Sequence, residues 1–288
     1  MSCGSKASVL RLLFTVFSIN LYAASTPSAR PPQLRSAAVI VQDQRTGEYL
    51  LAKRAEKSMP IASITKLMTA MVVLDARLDM NETITIEEAD KDALRHSQSH
   101  LPVGTRLSRR EAMLLALMAS ENRAAHALGR TYPGGISALV KAMNEKARSL
   151  NLTETRFEDP TGLSEGNVSS ARDLCRLVNM ACNYPEIRVF STTAEATVRI
   201  GRRQRRFINT NALIRNPRWQ IGLSKTGYLE DAGRCLVMQT QLAQRPILIV
   251  LLNSVGKNTR LADANRIKRW MEQPESPQNT RRHIRNGA

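Results

Sequence analysis

Aromatic residues are scarce, with phenylalanine, tryptophan and tyrosine together making up 4% of the 288 residues. Proteins that hold nucleic acid by stacking bases need more of them, and no recognisable binding motif accompanies the positive charge, so nucleic acid is disfavoured as a partner. Acidic residues are absent from the first 24 positions. Also absent is any uninterrupted apolar run of the ~20 residues that a membrane-spanning helix needs. The N-terminal stretch "VLRLLFTVFSINLYAAS" is broken by Arg11 and Asn20, follows Lys6 and ends in small residues. It reads as a secretory signal peptide over residues 1–24, cut near Ala23 or Ala24, which sends the chain to the periplasm. Cys3 does not sit where lipidation would require it.

Cysteine is sparse as well. Without the signal peptide three remain, Cys175, Cys182 and Cys235, an odd number in an oxidising compartment. The first two lie seven apart in a helical pattern, about 10 Å of rise, which is too far for a bridge. Free thiols packed as small apolar groups are the favoured reading. A bridge from Cys235 to either partner stays open. His96, His100 and His126 show neither an H-E-x-x-H pattern nor metal spacing with carboxylates or cysteines, and are expected at the surface. The sequence calls for no metal or other cofactor.

What the chain has in excess is positive charge, +17 overall and +15 once Lys6 and Arg11 are removed. It concentrates in "RIGRRQRRF" (199–207) and "RRHIR" (281–285). An anionic wall polymer or membrane surface suits such segments, and a solvated basic face without a partner explains them equally well.

After a Pro-rich linker (25–35), "SAAVIVQDQRTGEYLLAKR" reads as a β-hairpin turning at Arg45–Gly47. Leu67, Ala70, Met71 and Leu74 recur at the spacing of a helix buried on one face. Residues 75–190 read as mostly helical. "SRREAMLLALMAS" begins with Ser108 and Glu111 spaced as a capping box and is apolar almost all round. "GGISALVKAMNEKARSLNL" is amphipathic, and "FEDPTGLSEGNVSSARDLCRL" is a polar loop feeding a helix at Ser169 or Ser170. From about 195 the pattern becomes antiparallel strands, and a last helix places Leu261, Ala264, Ile267 and Met271 on one face. The expected fold is α/β: one antiparallel sheet built from both ends of the chain (36–75 and 195–272), covered by helices, with an all-helical lobe (76–194) inserted between. The domain then covers 36–272, a cleft lies between its lobes, and a disordered tail follows at 273–288.

In "MPIASITKLMTAM" (59–71), Ser63 can cap the helix, yet the position where a capping box wants Glu or Gln holds Lys66. A cation in the first turn opposes the helix dipole by some 0.3–1 kcal/mol. A Ser–Lys pair accounts for both residues, because three positions apart they are neighbours on the helix. To take a proton from Ser63, Lys66 must be neutral, whereas an unperturbed lysine is neutral in only about 0.04% of molecules at pH 7. A depression of about three units, roughly 4 kcal/mol, is required, and burial beside a second cation supplies it. Lys225, in "GLSKTGY" on an expected strand, is the candidate cation. With Thr226 it offers a carboxylate a charge and a hydroxyl, and Gly227 lets a backbone approach closely. The third piece is Ser120-Glu121-Asn122, after a buried helix: a hydroxyl to relay protons and an amide to hold a peptide carbonyl. S-x-x-K at 63, S-x-N at 120 and K-T-G at 225 are separated by 57 and 105 residues. Each alone is weak, but in this order they match the trio of penicillin-binding proteins and class A β-lactamases.

With these motifs, and with "SENRAAHALGRTYPGG", "RFEDPTGLSEGNVSSARDL" and "GLSKTGYLEDAGRCLVM", the sequence from about Ser36 to Met271 resembles the serine D-alanyl-D-alanine peptidases, the low-molecular-mass penicillin-binding proteins of peptidase S11 type. Glu121 makes it most similar to the endopeptidase branch, since typical carboxypeptidases carry Gly there. The resemblance implies a DD-peptidase/β-lactamase-like fold and an exported enzyme cutting D-alanyl cross-links of peptidoglycan through an acyl-Ser63 intermediate. Lys66 would be the general base, Ser120 the proton relay, and Asn122, Lys225, Thr226, Gly227 and Tyr228 the substrate-binding set. The backbone N–H groups of Ser63 and Tyr228 would form the oxyanion hole. Peptidoglycan peptides would be substrates and β-lactams covalent inhibitors. A carboxypeptidase releasing terminal D-Ala is the alternative within the same chemistry. A β-lactamase is disfavoured because no glutamate stands out to drive fast deacylation, and a non-catalytic wall-binding module has no need of Lys66. Asp159, Gly162 and Leu163 read equally as a cleft rim or a turn, and Glu230 and Asp231 as turn residues.

Overall fold

The computed structural model describes residues 30–273. The expected signal peptide, the first part of the linker and nearly all of the expected tail lie outside the described residues.

Strands β1 (Ala38–Asp43) and β2 (Tyr49–Lys53) form the N-terminal hairpin, followed by the short β3 (Met59–Pro60), a 3-10 turn (Ala62–Thr65) and helix α1 (Lys66–Asp75). The middle of the chain supplies β4 (Thr83–Thr85), β5 (Arg106–Ser108), α2 (Arg109–Met118), α3 (Asn122–Arg130), α4 (Gly135–Ser149), β6 (Val168–Ser169), α5 (Ala171–Ala181) and α6 (Pro185–Thr192). The last third gives β7 (Glu195–Ile200), β8 (Arg203–Ile208), β9 (Gln220–Leu229), β10 (Gly233–Leu242), β11 (Arg245–Ser254) and α7 (Thr259–Met271). Five strands make one antiparallel sheet in the order β2-β1-β11-β10-β9, so the first hairpin docks onto the last strand. β7 and β8 pair only with each other, and two further short ribbons (β3–β6, β4–β5) stand outside the main sheet. The β4–β5 ribbon was not expected, because three-residue strands carry too little alternation to stand out from loops.

Both faces of the sheet are covered. Ala38 and Ile40 point into the large core shared with α1 and α5, while Val39 and Val41 point to the opposite core against Ala264, Ile267 and Trp270 of α7. That double coverage is why β11 reads as an unbroken apolar run rather than an alternating one. The capping box forms as expected: Glu111 N donates to Ser108 Oγ (3.1 Å) and Ser108 N to Glu111 Oε2 (2.7 Å). Ser170, not Ser169, caps α5, accepting from Asp173 N. One boundary differs from the sequence reading. α5 packs on β1, β10 and β11, and α6 on β9, so both helices expected in the helical lobe belong in part to the sheet side. Cys175, Cys182 and Cys235 are free thiols, and burial raises their pKa values to about 12, 11 and 11.

Both ends of the domain are joined through Asp263 on α7, which is fully buried. Its Oδ2 accepts from Arg35 N (2.9 Å), Ser36 N (2.7 Å) and Ser36 Oγ (2.7 Å), while Oδ1 pairs with Arg266 (2.7 Å). Asp263→Ala strands the buried Ser36 donors, and a loss of ~2–3 kcal/mol is expected. In a domain this size that lowers the unfolding midpoint by about 5–10 °C. Calorimetry checks it, and an unchanged midpoint refutes the anchoring role.

Candidate active site

The short β3 leads into the 3-10 turn, with Ala62 held at φ +48°, in the left-handed region. Ser63 lies inside this turn and α1 begins at Lys66, so Ser63 is not the helix cap that the sequence allowed, and no side chain caps α1. In 3-10 geometry residues three apart are eclipsed rather than offset by a sixth of a turn, which aligns the two side chains directly. Lys66 Nζ is 2.8 Å from Ser63 Oγ, 2.7 Å from Asn122 Oδ1 and 2.6 Å from the Thr161 carbonyl oxygen. Two of those three neighbours are carbonyl oxygens, which only accept. A neutral amine gives its two N–H bonds to them, and its lone pair is left facing the Ser63 hydroxyl.

The Thr161 carbonyl is placed by a loop that the sequence reading left ambiguous. Asp159 organises it: Oδ1 accepts from Thr161 N (2.5 Å), Thr161 Oγ1 (2.6 Å) and Gly162 N (2.8 Å), and Oδ2 from Ser164 N and Asn167 Nδ2 (both 2.8 Å). Gly162 has φ +83°, and a Cβ there would stand 2.0 Å from the Ala62 carbonyl oxygen, so no larger residue fits.

Lys66 is 1% exposed, and burial depresses its pKa to about 7 against the pull of Asp159, Glu121 and Asp92. Lys225 comes from β9, the edge strand of the sheet. Its Nζ donates to Ser120 Oγ (2.8 Å) and the Thr226 carbonyl (3.0 Å). Lys225 falls well below the ordinary lysine value through burial first, then the charges of Lys66 and Arg260. The expected second cation therefore reaches the site, but the repulsion weighs on Lys225, while burial is what lowers Lys66. No carboxylate pairs with Lys225 among the described residues. A buried lysine so placed favours an arriving anion.

Ser120 sits at φ +59° in the tight reversal between α2 and α3, which turns its hydroxyl toward β9. Asn122 opens α3 and is held from behind, its Nδ2 donating to Ser97 Oγ (2.9 Å). Gly227 completes the approach of sheet to turn. A Cβ on it would lie 2.8 Å from the Ile61 carbonyl oxygen and 3.3 Å from Ser63 N, so its absence brings the backbone of residues 227–228 beside that of Ser63. Above the serine is a cleft of about 380 Å³ lined by Ser63, Arg95, Ser97, Asn122, Gly162 and the half-exposed Tyr228. Thr226 Oγ1 lies 2.6 Å from Thr210 Oγ1.

All eight expected site residues thus converge from a 3-10 turn, an interhelical reversal and an edge strand. Thr161, Ser97, Thr210 and Arg95 were missed. Thr161 acts through its backbone, invisible in side-chain chemistry, although the D-P-T-G run around it signals a tight turn. His96 and His100 are exposed as expected, His100 Nδ1 accepting from Arg205 Nη2 (2.7 Å), whereas His126 is only partly exposed, its Nδ1 2.8 Å from the buried Asp90.

Comparison with known proteins agrees with this geometry. Residues 25–256 match the family described as D-alanyl-D-alanine carboxypeptidase (peptidase S11). A D-alanyl-D-alanine endopeptidase of Pseudomonas aeruginosa is 46% identical over 90% of this chain and 87% of its own, and one of Escherichia coli is 42% identical over 94% and 88%. Among solved structures, the Streptomyces K15 DD-transpeptidase superposes with a TM-score of 0.78 at 27% identity, covering 84% of this chain and 98% of its own. A putative penicillin-binding protein homologue of Mycobacterium tuberculosis reaches 0.77 at 25% identity, covering 86% and 96%. With a family match over most of its length and a Ser–Lys site assembled between its lobes, the chain belongs to the serine D-alanyl-D-alanine peptidases of the S11 family.

Proposed function

We propose that this chain is an exported endopeptidase that cuts D-alanyl cross-links of peptidoglycan through an acyl-Ser63 intermediate. The observation that carries the chemistry is the Lys66 amine, buried, near pKa 7 and coordinated so that its lone pair meets the Ser63 hydroxyl. Endopeptidase specificity rests on the two relatives above 40% identity that carry that name.

In this mechanism Lys66 takes the Ser63 proton as Oγ attacks the D-Ala carbonyl carbon. The tetrahedral oxyanion lies between the backbone N–H groups of Ser63 and Tyr228, each worth roughly 10²–10³ in rate. Collapse breaks the peptide C–N bond, and the proton held by Lys66 passes by way of the Ser120 hydroxyl, which Lys225 supports from 2.8 Å, to the leaving nitrogen, so that Lys66 is a free amine again. Asn122 Nδ2 and the free edge of β9 hold the peptide, and Lys225 with Thr226 receives a substrate carboxylate. Water then attacks the ester, gives its proton to the Lys66 amine and restores Ser63. A β-lactam acylates the same oxygen. Periplasmic location rests on the signal-like N-terminal stretch, and predicts a mature chain beginning at residue 24 or 25, which mass spectrometry of the exported protein reads directly.

Lys66 carries its proton below about pH 7 and is free above it. Acylation kcat/KM should therefore rise with pH, reach half its plateau near 7 and stand at about a tenth of it at pH 6. Lys66→Arg, which stays protonated, should lose acylation. A flat profile between pH 6 and 8 contradicts the base assignment. Fluorescent penicillin should label the wild type and not Ser63→Ala, and purified cross-linked dimers should be cleaved in preference to pentapeptide monomers. Release of free D-Ala with dimers left intact favours the carboxypeptidase reading, the activity for which more distant relatives are named.

A further inference from the structure

The basic segment noted in the sequence forms the β7–β8 hairpin. Its register pairs Ala196 with Phe207, Val198 with Arg205 and Ile200 with Arg203, which puts all six on one face. Ala196, Val198, Ile200 and Phe207 pack on the main core, so that face is turned toward the body of the protein. Arg203 and Arg205, exposed and nearer the tip, line a pocket of about 390 Å³ with His100, Pro102, Ile200 and Gln204. Arg206, on the opposite face, is paired with Glu195. Arg202, Arg203 and Arg205 have no carboxylate partner among the described residues; Arg205 instead donates to a histidine ring nitrogen. Unneutralised guanidinium groups around a concavity make an anion site.

Both walls of this pocket continue into one end of the cleft. β8 leads through Asn209 to Thr210, whose hydroxyl meets Thr226. On the other wall His100 follows Ser99, whose hydroxyl donates to Glu121 (2.5 Å) between Ser120 and Asn122. Ser120 and Thr226 mark the end where the leaving amine departs. Arg205 lies five residues from Thr210, three of them in β8, so the two are at most ~18 Å apart, within the reach of an extended peptide of about five residues.

We propose that the hairpin pocket is the subsite for the leaving half of a cross-linked substrate, with Arg203 and Arg205 binding free carboxylates of the second stem peptide. The assignment rests on the endopeptidase reading. A released D-alanine ends at Lys225 and Thr226 and does not reach the hairpin, whereas a second peptide does.

The test uses the mature chain, a purified cross-linked dimer, and the same dimer with the leaving-half carboxylates amidated except the one nearest the scissile nitrogen, which Lys225 and Thr226 receive. Arg203→Gln/Arg205→Gln should raise KM for the dimer about five- to tenfold with a smaller change in kcat, and the Arg→Lys pair should recover most of the loss. Amidation should cost the wild type a similar factor, and the variant on amidated dimer should lose nothing more. An unchanged KM in the variant, or losses that multiply, overturns the subsite. Thermal unfolding checks that the variant is folded; if it is not, the wild type's response to amidation alone decides. A wild type that takes penicillin but leaves dimers intact refutes the endopeptidase reading, and the subsite falls with it. Dimer cleavage insensitive to both changes refutes only the subsite.

Discussion

The site depends on keeping one lysine amine out of water with two carbonyl oxygens for company. Burial lowers the Lys66 pKa to about 7 against the pull of three carboxylates, Asp159, Glu121 and Asp92. Each of the three is held in place by neutral donors. Asp159 accepts five hydrogen bonds from its own loop, Asp92 accepts from Leu94, Arg95 and Ser97 N, and Glu121 takes the Ser99 hydroxyl. The acids that shape the cleft walls thus also raise the proton affinity that burial lowers. A base poised near neutrality follows from the loops being folded, with no extra group needed to tune it.

Placing the amine there strains the backbone around it. Ala62 and Ser120 both occupy the left-handed region without being glycine, and each such residue costs of order 1 kcal/mol or more. The surrounding packing holds them: Ala62 is pinned between Gly162 and Gly227, whose missing Cβ atoms let a loop and a strand close on one turn. The two glycines serve different ends. Gly162 delivers the carbonyl that Lys66 requires, and Gly227 brings the sheet edge to the nucleophile.

Much of this was legible in the sequence because it is written in side chains. Alternation and helical spacing marked the main sheet and helices, and three short motifs in order marked the residues that the fold brings together around Ser63. What escaped was carried by backbone or by distance. The Thr161 carbonyl has no side-chain signature, and the 3-10 turn at Ala62–Thr65 cannot be told from a helix start over four residues. The sheet-side packing of α5 and α6 is tertiary, since an apolar stripe does not say which layer it meets. The partners of Lys66 were partly misjudged for the same reason: a second cation could be inferred from K-T-G, but the three carboxylates lie in loops whose folding no spacing announces.

Charge along the cleft has a direction that follows from these placements. At the Leu163–Tyr228 end Arg95 is neutralised, its guanidinium 2.6 Å from Asp231 with Glu165 nearby. At the Thr226 end no acid pairs with Lys225 among the described residues, and the arginines of β7–β8 lie beyond. The field along the open edge of β9 therefore runs from balanced to positive. A peptide with carboxylates on its leaving side is drawn into the cleft in the orientation that puts its scissile carbonyl over Ser63, whereas the reversed peptide sets the same charges beside Asp231 and Glu230. Orientation is thus decided by charge before the short-range hydrogen bonds of β9 form.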